Sequence, residues 1–192
     1  MGRKTARTRQ RLLSVARRHF ARDGYAGAAT EAIVAEAEMT RGALYYQFQD
    51  KRDLFRAVVE EVAAELVTRI GEAADEAATP VEAVVAGSRA FLAHATAPDI
   101  RRILLIDAPT VLGWAEWRAI DARHGMGSLA EGLQACADAG VIAVGQVRPL
   151  THLLSGALNE AALALSDEGA DPALAPAAED LIRAALAPPG GG

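Results

Sequence analysis

The chain has a single cysteine, Cys136, among 192 residues, so no internal disulfide can form and a reducing compartment suits it. Aromatic residues are scarce at 5 %, and no stretch alternates β-branched with polar residues, which removes the usual signals of a sheet. The longest aliphatic run, Ile103-Leu104-Leu105-Ile106, falls far short of a bilayer span. The basic N-terminus leads into no apolar signal core, and Ala6 stands where an N-myristoylation motif needs Ser or Thr. No membrane partner is expected, and the chain is expected to be cytoplasmic. His19, His94, His124 and His152 are too dispersed to hold zinc, so no metal site is expected. No Gly-rich phosphate loop or nucleophile–base motif is present, which argues against a cofactor and against an enzyme.

What the chain does have is Ala, Leu, Glu and Arg in abundance, and these favour helices. An all-α fold is expected. Charge is unevenly placed: residues 1–56 hold twelve Lys/Arg and six Asp/Glu, whereas the rest hold eight and nineteen. The eight basic residues before Asp23 have no acid between them. Either a small basic module meets a polyanion beside an acidic body that does not, or the charges only solvate a helix face.

Apolar spacing predicts a helix from about Thr8 to Asp23, with Leu12, Leu13, Ala16 and Phe20 inward and Gly24 as its stop. A loop over residues 25–29 follows. Thr30 can then cap a short helix burying Ile33 and Val34, and Thr40 can cap another running through Phe48. A long helix begins near Lys51, with Leu54, Phe55, Val58, Val59, Val62 and Leu66 on one face. Further helices are expected from Thr79-Pro80 to His94, between Pro98 and Pro109, from Pro109 to His124, and from Gly127 to Ala139. The last two are expected from Pro149 to Leu165 and from Ala173 to Ala187.

Two short helices joined by a tight turn inside a basic segment are what a helix-turn-helix DNA reader requires. The second would present Thr40, Arg41, Ala43, Tyr45, Tyr46 and Gln47 outward and bury Leu44 and Phe48. The stretch Thr40-Arg-Gly-Ala-Leu-Tyr-Tyr-Gln-Phe48, followed by Lys51-Arg-Asp-Leu-Phe55, resembles the recognition helix and next helix of the TetR family of bacterial transcriptional regulators. Gly24-Tyr25 and Thr30-Glu-Ala-Ile-Val34 are similar to that family's approach to its second helix.

The resemblance implies an N-terminal three-helix DNA-binding domain over residues 1–50. A helical effector-binding and dimerisation domain would follow over 51–187, then a disordered tail over 188–192. Thr40 would cap the recognition helix and touch a phosphate, and Arg41 would read a base through its bidentate fork. Gly42 would allow close approach, and Ala43 could meet a thymine methyl. Tyr45 and Tyr46 would donate to phosphates, although either ring could instead be core. Gln47 keeps a donor, Thr30 supplies a capping hydroxyl, and Lys51 would clamp a phosphate at a helix N-terminus. Arg3, Lys4 and Arg7 resemble a basic arm laid along the duplex. The chain departs from the family pattern at Gln47, where His is common, and at Ala28-Ala29, where hydroxyl residues are common. Glu38 stands where the turn usually has Gly, which implies a strained backbone or a different turn.

For the acidic body the resemblance implies a homodimer on a palindromic operator, released by a small-molecule effector. Candidate effector contacts are Phe91, His94, Trp114, Trp117, Arg118, Asp121 and Asn159. Trp114 and Trp117, one turn apart, could form an aromatic wall or simply pack. Candidate dimer contacts on the last two helices are Leu154, Leu158, Ala161, Leu165, Leu181 and Ile182, which could equally lie buried in their own domain.

Overall fold

The computed structural model describes residues 2–167 and 169–187, with side chains from Ala6 onward. The expected tail at 188–192 and the side chains of Arg3 and Lys4 lie outside the described residues. The described chain is all helical: α1 (Gly2–Gly27), α2 (Thr30–Glu36), α3 (Arg41–Gln47), α4 (Lys51–Asp75), α5 (Pro80–Ala95), α6 (Pro98–Ile100), α7 (Ala108–Leu112), α8 (Trp114–Arg123), α9 (Gly125–Asp138), α10 (Val147–Ala164) and α11 (Leu174–Ala185). A π-helical segment, Arg101–Asp107, joins α6 to α7, and a 3₁₀ turn, Val144–Gln146, precedes α10.

The chain divides into two compact units. One holds the chain up to Val62 plus Pro98–Arg118, and the other holds Ala63–Ala97 plus the chain from Ala119. The expected division at residue 50 is therefore displaced. α4 is one unbroken helix whose apolar face, from Leu54 to Ile70, supplies both cores, and residues 98–118 return to the first unit.

Within the first unit, α1 breaks at Gly24, whose φ of 70° and ψ of 170° leave the helical region. A Cβ there would meet only the guanidinium end of Arg102, a flexible side chain that can shift, so it is the positive φ that calls for glycine. Below the break Phe20, Tyr25 and Phe55 pack as a trio, with centroids 4.9 Å apart for Phe20–Phe55 and 5.1 Å for Tyr25–Phe55. Asp107 accepts from the Tyr25 amide at 2.8 Å, which ties the kink to the π segment. His19, buried on α1, lies 2.8 Å from Glu36 of α2, and Arg18 donates to the same carboxylate at 2.6 Å. These contacts brace α2 against α1 and hold the Glu36 carboxyl below its usual range, chiefly through Arg18 and then His19.

Pro109 does not delimit a helix as expected but sits inside a continuing rod. In the π register Ala108 donates to the Ile103 carbonyl, and residue 109 would next donate to Leu104. Proline has no N–H to give. The Leu104 carbonyl instead accepts from Nε1 of Trp117 at 2.8 Å, in a buried bond.

In the second unit α9 packs between α5 and α10, and α11 lies against α5 and α10. Gly87 faces Ile70 and Gly132 faces Val84, where an added Cβ would come within 3.1 and 3.0 Å. The missing side chains let these helices approach. Arg183 of α11 donates to both Glu82 and Glu179, and Arg89 of α5 also reaches Glu179, so an exposed ion network fastens α11 to α5.

Candidate nucleic-acid interface and ligand cavity

The α2–α3 pair is built by two capping motifs. At the end of α2, Met39 donates to Val34 at 2.8 Å and Glu38 donates to Ala35 at 3.0 Å, the paired bonds of a Schellman turn. Glu38 occupies the left-handed position with φ of 55°, which carries the strain anticipated for a non-glycine residue there. Its carboxylate pairs with Arg11 at 2.9 Å. At the start of α3, the Thr40 hydroxyl accepts from the Ala43 amide at 3.1 Å, as its position predicted. α2 differs: Ala29 is its N-cap with no side-chain bond, and Thr30 is already its first helical residue. The chain therefore lacks the hydroxyl cap expected from Thr30.

On α3, Leu44 and Phe48 are buried while Thr40, Arg41, Gly42, Tyr45 and Tyr46 are exposed, with Ala43 and Gln47 partly so. Tyr46 is 82 % exposed and Tyr45 42 %, so neither ring is core. Arg41 lies 3.3 Å from Glu31 of α2 and over the Tyr45 ring. The Lys51 ammonium sits 4.6 Å from the Tyr25 ring centroid and 3.4 Å from the Ala26 carbonyl, and burial draws its pKa below the ordinary value. Asp50 accepts from the Asp53 amide at 2.7 Å and so starts α4 at Lys51. Arg7 is exposed. Arg9 lies over the Phe48 ring at 5.1 Å and escaped the sequence reading, as did the Glu31 partnership. Sequence patterning alone could not show that Glu31 reaches Arg41, because the two lie on different helices.

The second unit contains a cavity of about 230 Å³ among α4, α5, α8, α9 and α10. Phe91, Asp121 and Asn159 line it, together with Ile70, Ser88 and Met126, which the sequence reading missed. His94 is not among its walls; its Nδ1 lies 3.4 Å from Arg69. Trp114, Trp117 and Arg118 are likewise absent from the lining. The two indoles meet at a tilt of 44° with centroids 4.9 Å apart and Arg118 over both rings, and they belong to the first unit, where Trp117 serves the Leu104 carbonyl. Among the described residues no helix is long and apolar enough to cross a membrane, and no His, Cys, Asp or Glu cluster could hold a metal.

The candidate dimer contacts also need correction. Leu154, Leu158, Ala161 and Ile182 are buried within their own chain, leaving little surface to offer a partner. Leu165 is partly exposed, and Leu181 is 50 % exposed on α11. Leu153 on α10, at 69 %, was passed over because apolar spacing cannot tell which arc of a mostly apolar helix faces out.

A short helix pair with a polar, aromatic second helix, followed by a helical unit with its own cavity, is the arrangement of a helix-turn-helix regulator. Comparison with known proteins makes this specific. Residues 12–58 match "Bacterial regulatory proteins, tetR family", and residues 81–188 match "Tetracyclin repressor-like, C-terminal domain". The chain belongs to the TetR family. It is 38 % identical over 71 residues to the HTH-type transcriptional repressor AcnR of Corynebacterium glutamicum, covering 37 % of this chain and 38 % of that protein. The chain thus matches well under half the length of that relative. A TetR-family transcriptional regulator from Pectobacterium atrosepticum is 32 % identical, with a TM-score of 0.77 over 96 % of this chain and 94 % of the other. FadR of Bacillus subtilis, solved in complex with stearoyl-CoA, shares the fold at 16 % identity with a TM-score of 0.75, covering 92 % and 97 %.

Proposed function

We propose that this chain is a homodimeric repressor that reads a palindromic operator through α3 and leaves it when a small molecule enters the α4–α5–α9–α10 cavity. The observation carrying this reading is the division of α3: Leu44 and Phe48 anchor it while Thr40, Arg41, Tyr45 and Tyr46 face out. A helix so presented fits a major groove, with Arg41 near its N-terminus for a guanine edge and the hydroxyls for phosphates. Gly42 allows close approach, Ala43 and Gln47 flank the contact, and Thr30, Lys51 and Arg7 add backbone contacts. Arg3 and Lys4 are proposed as part of the same basic arm. In a cytoplasmic setting this module would meet chromosomal DNA directly.

A two-fold operator needs a two-fold protein. Leu153 and Leu181, exposed on α10 and α11, are the apolar residues proposed to meet their counterparts, with Leu165 at the margin. An effector is supported by the cavity and by the stearoyl-CoA complex of a neighbour in fold. Release requires that the ligand favour the conformation that does not fit the operator. Selection of genomic fragments by the purified chain, followed by footprinting, tests the reading. A protected inverted repeat supports it; binding indistinguishable from that to random DNA overturns it.

A further inference from the structure

We propose that the cavity of the second unit accepts a small cationic amphiphile, an ammonium group joined by a short chain to an apolar body. This rests on the effector reading above and names its ligand class. Size comes first. An apolar cavity of roughly 150 Å³ holds benzene, so about 230 Å³ accommodates a ring with a short substituent. Stearoyl-CoA, the ligand of the FadR neighbour, is far larger and anionic.

The walls supply the rest. Ile70, Val84, Phe91, Met126, Leu129 and Leu158 present an apolar surface for the body. Ser88 lines the same space at 6 % exposure, and its hydroxyl makes no hydrogen bond among the described residues. Its oxygen is not sealed off but open to the cavity, and it offers a hydrogen bond to a ligand N–H or O–H. The ionisable residues that border the cavity are all acidic: Asp75, Asp121 and Glu131, with no Lys, Arg or His in the lining. Asp121 is already engaged within the protein, so the exposed Asp75 and Glu131 provide the negative potential at the entrance. A carboxylate or phosphate ligand would meet like charge there, whereas an ammonium is drawn in.

Three near-isosteric probes test this on the full chain by calorimetry at low salt: 3-phenylpropylamine, 3-phenylpropan-1-ol and 3-phenylpropionate. The amine is expected to bind more tightly than the carboxylate by about tenfold or more. In the double variant Asp75→Asn/Glu131→Gln, amine affinity should fall towards that of the alcohol, whose own affinity should stay unchanged. Ser88→Leu should weaken all three by filling the cavity; if it fails to fold, the charge variant still decides. Carboxylate binding as tight as the amine, an amine affinity indifferent to the double variant, or no binding of any probe overturns the proposal. A gel shift on the selected operator separates this from the wider reading. Amine that binds the protein but leaves operator affinity unchanged upholds the ligand class and removes effector release.

Discussion

Without DNA, Arg41 leans on Glu31 at 3.3 Å, and both side chains are about two-thirds exposed. Such a surface pair contributes roughly 0–1 kcal/mol, whereas a bidentate guanine contact discriminates by about 1–3 kcal/mol, so in the proposed complex a guanine edge would outcompete Glu31 for the guanidinium. Arg41→Ala should therefore weaken binding to the selected operator by about 1–3 kcal/mol in a fluorescence titration and barely affect random DNA. Equal loss on both would reassign Arg41 to the phosphates. Lys51 is held at the start of α4 by the Tyr25 ring and the Ala26 carbonyl, where the helix N-terminus already favours an anion. Replacing it with Ala should lower the slope of log affinity against log salt by about one. An unaltered slope would show that the ammonium meets no phosphate.

At the scale of elements, two turns of the same design carry different residues. Gly140 ends α9 with φ of 74°, its neighbour Val141 donating to Cys136, and Glu38 ends α2 with φ of 55° in the equivalent place. Glycine is free to adopt that conformation; glutamate adopts it at a cost of about 1–2 kcal/mol. Glu38→Gly should stabilise the protein by about 0.5–1 kcal/mol in urea denaturation, since the exposed Arg11 pair it removes is weak. A drop in stability would mean that the ion pair outweighs the strain. The rod around Pro109 depends on Trp117 in a comparable way. Trp117→Phe keeps most of the packing but leaves the Leu104 carbonyl without its donor, and should cost about 1–3 kcal/mol in the same measurement. A neutral outcome would imply that water replaces the indole. The sequence showed the prolines and the tryptophan but not their connection, because a carbonyl freed by a π register is visible only when the backbone is traced.

For the whole molecule, the interface assignment turns on exposure. Leu181→Arg alters an exposed site on α11 and should yield folded monomers by light scattering, with operator affinity lost through the missing second reading head. A variant that remains dimeric would place the interface elsewhere. The helices, the cap at Thr40, the stop at Gly24 and the inward stripe from Leu54 to Leu66 were legible because they arise from spacing and local hydrogen bonds. Thr30 was misread as a cap because a hydroxyl one residue along serves the same pattern in sequence.

By itself, the sequence determined that the chain is helical, that its basic end carries a short capped helix with Leu44 inward and Tyr46 outward, and which family that motif resembles. These follow from nearest neighbours along the chain, where a period of 3.6 residues and a few capping groups suffice. The tertiary structure decided the rest: that α4 feeds two units, that Leu154 and Ile182 are interior while Leu153 and Leu181 are not, and that Ser88 rather than Trp117 borders a cavity. Each of these depends on which helices come together, and on a helix as apolar as α10 the choice of buried arc belongs to its neighbours.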